Sequence, residues 1–118
     1  MTLHIYGIPN CDTVKKARRW LDERDISYVF HDFKKEGVTT EKLQQWSDSI
    51  GWETLLNRKG TTWRQLPETD KADVDANKAI VLMQKNTSLI KRPVVESRAG
   101  VSAGFDESRF AQILLSYT

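Results

Sequence analysis

Leu3-His4-Ile5-Tyr6-Gly7-Ile8-Pro9-Asn10-Cys11-Asp12-Thr13 sets a short β-run, a polar turn and a cysteine directly ahead of a helical stretch. Leu3 to Tyr6 reads as a strand, and Gly7-Ile8-Pro9-Asn10 ends it. From about Thr13 to Arg24, Val14, Ala17 and Leu21 recur on one helical face. Ser27 to Phe33, centred on Tyr28-Val29-Phe30, is rich in β-formers. The opening is therefore strand–helix–strand, an order that favours a parallel pair with a right-handed crossover.

Beyond this unit, Leu43, Trp46 and Ile50 repeat at helical spacing up to Gly51, with Thr40 expected as N-cap. Trp52 to Leu66 reads as short helical pieces around the turn Asn57-Arg58-Lys59-Gly60, and Thr62-Trp63-Arg64-Gln65 has the form of a capping box. Asp73 or Asp75 opens a helix running through Ala79, Ile80, Met83 and Lys85. Ser88-Leu89-Ile90 and Pro93-Val94-Val95 are expected to be extended, and Ser97-Arg98-Ala99-Gly100 to turn a hairpin. Asp106 caps a last helix carrying Phe110, Ile113, Leu114 and Tyr117. The order βαβ, helical insertion, αββα predicts an α/β, thioredoxin-like fold: a mixed sheet flanked by helices, one domain over residues 1–118, with a helical insertion over roughly 38–86.

Composition narrows the function classes. The net charge is only +2, with both signs mixed along the chain, so the basic stripe of a nucleic-acid binder is missing. No apolar run reaches the length of a membrane span, and the N-terminus lacks the basic and apolar regions of a signal peptide. One cysteine excludes an internal disulfide and suggests a reducing, cytoplasmic setting.

That cysteine, Cys11, is the candidate centre. At a helix mouth it meets unpaired N–H groups and the positive end of the helix dipole, with Lys15 one turn on, all of which favour thiolate. Val14 stands where a second redox cysteine would be, so the site is monothiol and needs an external thiol to complete a cycle. Asn10 borders the cysteine. Arg92-Pro93 lies between two apolar segments, where a cis bond is expected from the order of elements. Arg58 and Arg92 sit by turns, and a guanidinium holds carboxylate or phosphate-like oxygens in bidentate fashion. His4 and His31 are far apart in sequence with no cysteine cluster, so no metal ligand set is read from them.

The chain resembles, over essentially its whole length, the arsenate reductase (ArsC) family, closest to its YffB branch, with Spx-type regulators as cousins. The matching stretches are Leu3 to Thr13, Leu55-Leu56-Asn57-Arg58-Lys59-Gly60, Leu89-Ile90-Lys91-Arg92-Pro93-Val94-Val95 and Gly104-Phe105. The resemblance implies a cysteine nucleophile at Cys11 and anion-binding arginines at Arg58 and Arg92. In arsenate reductases a histidine precedes the cysteine by four residues and an arginine follows it by four; here these are Gly7 and Lys15. A third arginine expected near Gly104-Phe105 is absent. Spx-type regulators commonly carry a Cys-x-x-Cys switch, which this chain lacks.

The expectation is thus a glutathione-dependent monothiol reductase. It acts through Cys11 and a glutathione mixed disulfide, with Asn10, Lys15, Arg58, Arg92 and Pro93 as the glutathione-binding set. Glutathione is a cosubstrate, no tightly bound cofactor is required, and neither nucleic acid nor membrane is a partner. Arsenate reduction is the second reading, and a non-catalytic module contacting RNA polymerase is the third.

Overall fold

Alternation along His4–Gly7 (β1) buries Ile5 and Gly7 on one side and leaves His4 and Tyr6 half-buried on the other. The computed structural model of the protein describes residues 2–115, and the expected Tyr117 contribution to the last helix lies outside them. The described chain divides into two compact units. One comprises the residues up to Glu36 and from Arg92 onward; the other is Gly37–Lys91.

In the first unit β1 leads into α1 (Asp12–Glu23), β2 (Val29–Asp32) and a single turn, α2 (Phe33–Glu36). The chain elements that complete this unit are β3 (Val94–Ser97), β4 (Gly100–Ala103) and, at the end, α8 (Glu107–Leu114). The sheet order is β2-β1-β3-β4. β1 and β2 are parallel, as the βαβ reading requires, while β3 runs antiparallel to both β1 and β4. This is the thioredoxin-like mixed sheet flanked by helices. Register fixes which side chains face the helices: Ile5 lies opposite Val95, and both are buried with Leu21 of α1 and Phe110 of α8. Phe110 meets Trp20 and Phe105 edge-on, at centroid distances of 5.5 and 4.9 Å. Asp106 caps α8 by accepting the Arg109 N–H, as its sequence position suggested.

His4 and Tyr6, on the other side of β1, build a polar cluster with β2. His31 stacks on Tyr6 with centroids 4.3 Å apart, and its Nε2 lies 2.8 Å from His4 Nδ1. Tyr6 donates to Glu96 at 2.8 Å. Burial pushes the Tyr6 phenol up, and the Glu96 and Glu36 carboxylates add to the rise. Among the described residues no group of three or more His, Cys, Asp or Glu is placed to hold a metal ion.

The second unit is helical: α3 (Thr40–Ile50), α4 (Trp52–Leu55), α5 (Thr61–Arg64), α6 (Glu68–Lys71) and α7 (Ala76–Lys85), then a 3₁₀ turn at Thr87–Leu89. Leu43 and Trp46 of α3 and Ile80 and Met83 of α7 are buried. Three local expectations are corrected. Thr39, not Thr40, caps α3, accepting from the Lys42 N–H, while Thr40 Oγ1 donates to Gln84. The Thr62–Gln65 box does not form, because α5 starts at Thr61 behind Gly60, which has no side chain to cap with. Ser88 and Leu89 are not extended: the Asn86 side chain accepts from the Ser88 N–H and curls them into the 3₁₀ turn. Asp75 caps α7 by accepting from Lys78 N–H. Among the described residues no helix is long and apolar enough to cross a membrane.

Candidate functional site

The turn after β1 is closed by the Cys11 N–H donating to the Ile8 carbonyl at 3.1 Å, and Pro9 and Asn10 stand exposed at its tip. Cys11 is then the N-cap residue of α1: its backbone is extended, and its carbonyl accepts the first helical bond from Lys15 N–H at 2.9 Å. What allows α1 to start so close to the sheet is Gly7. A Cβ there would stand 2.8 Å from Val14 Cγ2, closer than real contacts permit, so the strand must end on a glycine.

The half-exposed Cys11 thiol makes no capping hydrogen bond within ordinary limits, yet its anion is well supported. Burial pushes its pKa up. Against that act the N–H of Val14, a hydrogen bond and the positive charge of Arg92, and the N–H of Thr13, which together leave it below the ordinary thiol value. The cation that acts on the sulfur is therefore Arg92. The Lys15 side chain, expected in that role, is exposed on the first turn of α1, and Lys15 takes part through its backbone N–H.

Arg92 reaches the thiol from the other end of the unit's sequence. It is half-buried, and its peptide bond to the buried Pro93 is cis, as expected. The Pro93 carbonyl accepts from the Gly104 N–H at 2.9 Å, so the residue pair ahead of β3 is tied to the end of β4. The first unit thus gathers Cys11, Arg92, Pro93 and the helix N–H groups. The sequence reading missed Gly7 as a packing requirement and Gly104 as the tie to Pro93. A glycine ending a strand just before a helix was the available signal for the first.

Arg58 belongs to the second unit. There Asn57 N–H donates to the Leu89 carbonyl at 2.7 Å and Lys91 N–H to the Leu55 carbonyl at 2.8 Å, while Leu56 pairs with Ile90 as an isolated bridge. Asn57 Oδ1 accepts from Lys59 N–H at 3.1 Å and folds the turn that presents Arg58. Arg58 is exposed, with its guanidinium 5.9 Å from the Trp52 ring centre. With Lys59, Lys91, Asn57 and Glu53 it lines an open pocket of about 250 Å³. Three cations against one carboxylate make this pocket suited to an anionic ligand.

Comparison with known proteins places this arrangement. A solved structure of a YFFB protein is 50% identical, with a TM-score of 0.93, covering 96% of this chain and 99% of that one. An arsenate reductase (ArsC) related protein from Brucella melitensis is 47% identical with a TM-score of 0.77, covering 95% and 93% of the two chains. More distantly, the global transcriptional regulator Spx of Lactiplantibacillus plantarum is 25% identical over 93% of this chain and 84% of its own length. A family model described as the ArsC family matches residues 6–113, nearly the whole sequence, and the chain belongs to that family.

Proposed function

We propose that the protein is a glutathione-dependent monothiol oxidoreductase working in a reducing cytoplasm. The observation that carries this reading is the support given to the Cys11 anion by Arg92 and the first N–H groups of α1, in a chain with no second cysteine. The thiolate attacks the glutathione sulfur of a glutathionylated substrate, forming a Cys11–glutathione disulfide and releasing the substrate thiol. A second glutathione thiolate then attacks that disulfide, leaving as oxidised glutathione and returning Cys11 to its thiolate. Arg92, beside the sulfur, would hold a glutathione carboxylate. In the second unit, the cationic pocket of Arg58, Lys59 and Lys91 is by itself suited to an anionic group. Backbone beside Pro93 and the exposed Asn10 are the remaining contacts proposed for the peptide, and Lys15 is kept as a peripheral cation.

Arsenate reduction is the second reading. It is favoured by the Cys11–Arg92 pairing and by the 47% identity to a protein described as arsenate reductase related. Against it stands residue 7, where Val14 fills the space a histidine would need. Calorimetry on Cys11→Ser protein separates binding from chemistry. Saturable glutathione binding, weakened about ten-fold or more by Arg92→Ala, supports the proposal, because a charge-assisted contact is worth roughly 1.5–3 kcal/mol. Arsenate binding without glutathione binding would move the assignment to the second reading. Binding of neither ligand would favour a partner-binding module.

A further inference from the structure

The end of β4 is held by a residue that no motif singles out. Arg109, in the first turn of α8, donates from Nη2 to the Ala103 carbonyl at 3.1 Å. Its own N–H is already committed to the Asp106 cap. Its Nε is buried with no hydrogen-bond partner, an unfavourable arrangement that asks for an explanation beyond local packing. The gripped peptide is the one between Ala103 and Gly104. Gly104 has φ +87°, the left-handed region that favours glycine, and from there its N–H holds the Pro93 carbonyl at 2.9 Å. Val94, next after Pro93, is paired in register with Ala103. Arg92, immediately before Pro93, is the cation that favours the Cys11 thiolate.

We propose that Arg109 is a positioning residue for the Cys11 site, acting through Ala103, Gly104 and Pro93 to fix the backbone from which Arg92 reaches the sulfur. The inference rests on the reading of Cys11 as an Arg92-supported thiolate. Without the Arg109 bond, the buried Ala103 carbonyl loses a donor, and the Ala103–Gly104 peptide is held from one side only, by the Gly104 N–H on the Pro93 carbonyl. Pro93 and Arg92 are then held less firmly, with no group in contact with the sulfur having been removed.

The test is the pH profile of iodoacetamide alkylation, with urea unfolding measured on the same samples. In Arg109→Ala the midpoint of the profile moves up, and the alkylation rate at neutral pH falls about two- to three-fold. The rate falls less than the thiolate population, because a thiol of higher pKa is intrinsically more nucleophilic. Arg109→Lys, which retains a donor able to reach a carbonyl, recovers part of the shift. Arg109→Met, which keeps the aliphatic stem, is read in the same way if the alanine variant does not fold. A folded Arg109→Ala or Arg109→Met protein with an unmoved midpoint overturns the proposal, whatever its stability, since a purely structural role predicts that result. A wild-type midpoint at the ordinary thiol value would instead overturn the underlying reading of Cys11, and the inference with it.

Discussion

Replacing Gly7 by alanine tests how closely the thiol's anion-binding turn must sit on the sheet. The added Cβ would lie 2.8 Å from Val14 Cγ2 and 3.3 Å from Cγ1. Val14 is fully buried and β-branched, so its methyl groups have no alternative rotamer to swing into. The strain is relieved only if the first turn of α1 moves away from β1. Overpacking of this kind costs roughly 1–3 kcal/mol. Taking about 2 kcal/mol and an unfolding entropy near 2.1 cal/mol/K for each of 118 residues gives a fall in Tm of about 8 °C. The same displacement draws the Val14 N–H away from Cys11, so the thiol pKa rises toward its ordinary value. Thermal unfolding and the pH dependence of alkylation read the two effects on one sample. Adding Val14→Ala removes the colliding methyls, and the double variant should lose less stability than the two single losses summed. An unchanged Tm with an unchanged alkylation profile in Gly7→Ala would refute the reasoning, as would strictly additive losses in the double variant.

Arg92→Ala should lower the thiolate population of Cys11. A hydrogen bond to a charged group is worth roughly 1.5–3 kcal/mol, and solvent screening at a half-exposed sulfur reduces this to about 1 kcal/mol, or about five-fold at neutral pH. Thiolate absorbance against a Cys11→Ser blank measures it; Arg92→Lys should restore part, and an unaltered titration would remove Arg92 from the site. Tyr6 provides a test in alkaline solution. Its folded pKa is raised, so the stability linked to its proton is fully present below the ordinary tyrosine value of about 10 and is lost as pH rises above it. The urea midpoint should therefore fall more steeply above about pH 10 in wild type than in Tyr6→Phe, and equal slopes would argue against the half-buried Tyr6–Glu96 pair. Cys11 works in the opposite sense. Its depressed pKa contributes stability above the ordinary thiol value that is lost as pH falls through the folded value, and Cys11→Ser should abolish that component of the pH profile.

Elements governed by local pattern were legible in the sequence. β1 and α1 follow from the Leu3–Thr13 stretch and the Val14–Ala17–Leu21 stripe, and the Ser97–Gly100 turn joins β3 to β4 as expected. The parallel pairing of β1 with β2 was inferable because a helix must cross between them. Less legible were competitions between neighbouring side chains of the same type. Thr39 and Thr40 are both able to cap, and the geometry chose the first. Asn86 outcompeted the extended preference of Ser88-Leu89 by supplying a local acceptor. At the site, sequence proximity was a poor guide to charge. Lys15 lies four positions from Cys11 but is exposed, whereas Arg92, 81 positions away by subtraction, is brought to the sulfur by the antiparallel pairing of β3 with β1. Arg109 was invisible for the same reason, since its contact with Ala103 depends on how α8 returns to the sheet. His4 and His31, far apart in sequence, meet diagonally across the parallel pair, because the register sets His31 opposite Tyr6, two residues along β1 from His4.

The most direct test of the central claim is isolation of the Cys11–glutathione disulfide. Reduced protein is mixed with oxidised glutathione, followed by intact mass spectrometry, and then treated with reduced glutathione. The account predicts one glutathione per chain, attached to Cys11, absent in Cys11→Ser, saturable in oxidised glutathione and removed by the reduced form. An adduct that does not form, or that forms no faster than on an unstructured cysteine peptide, would contradict it.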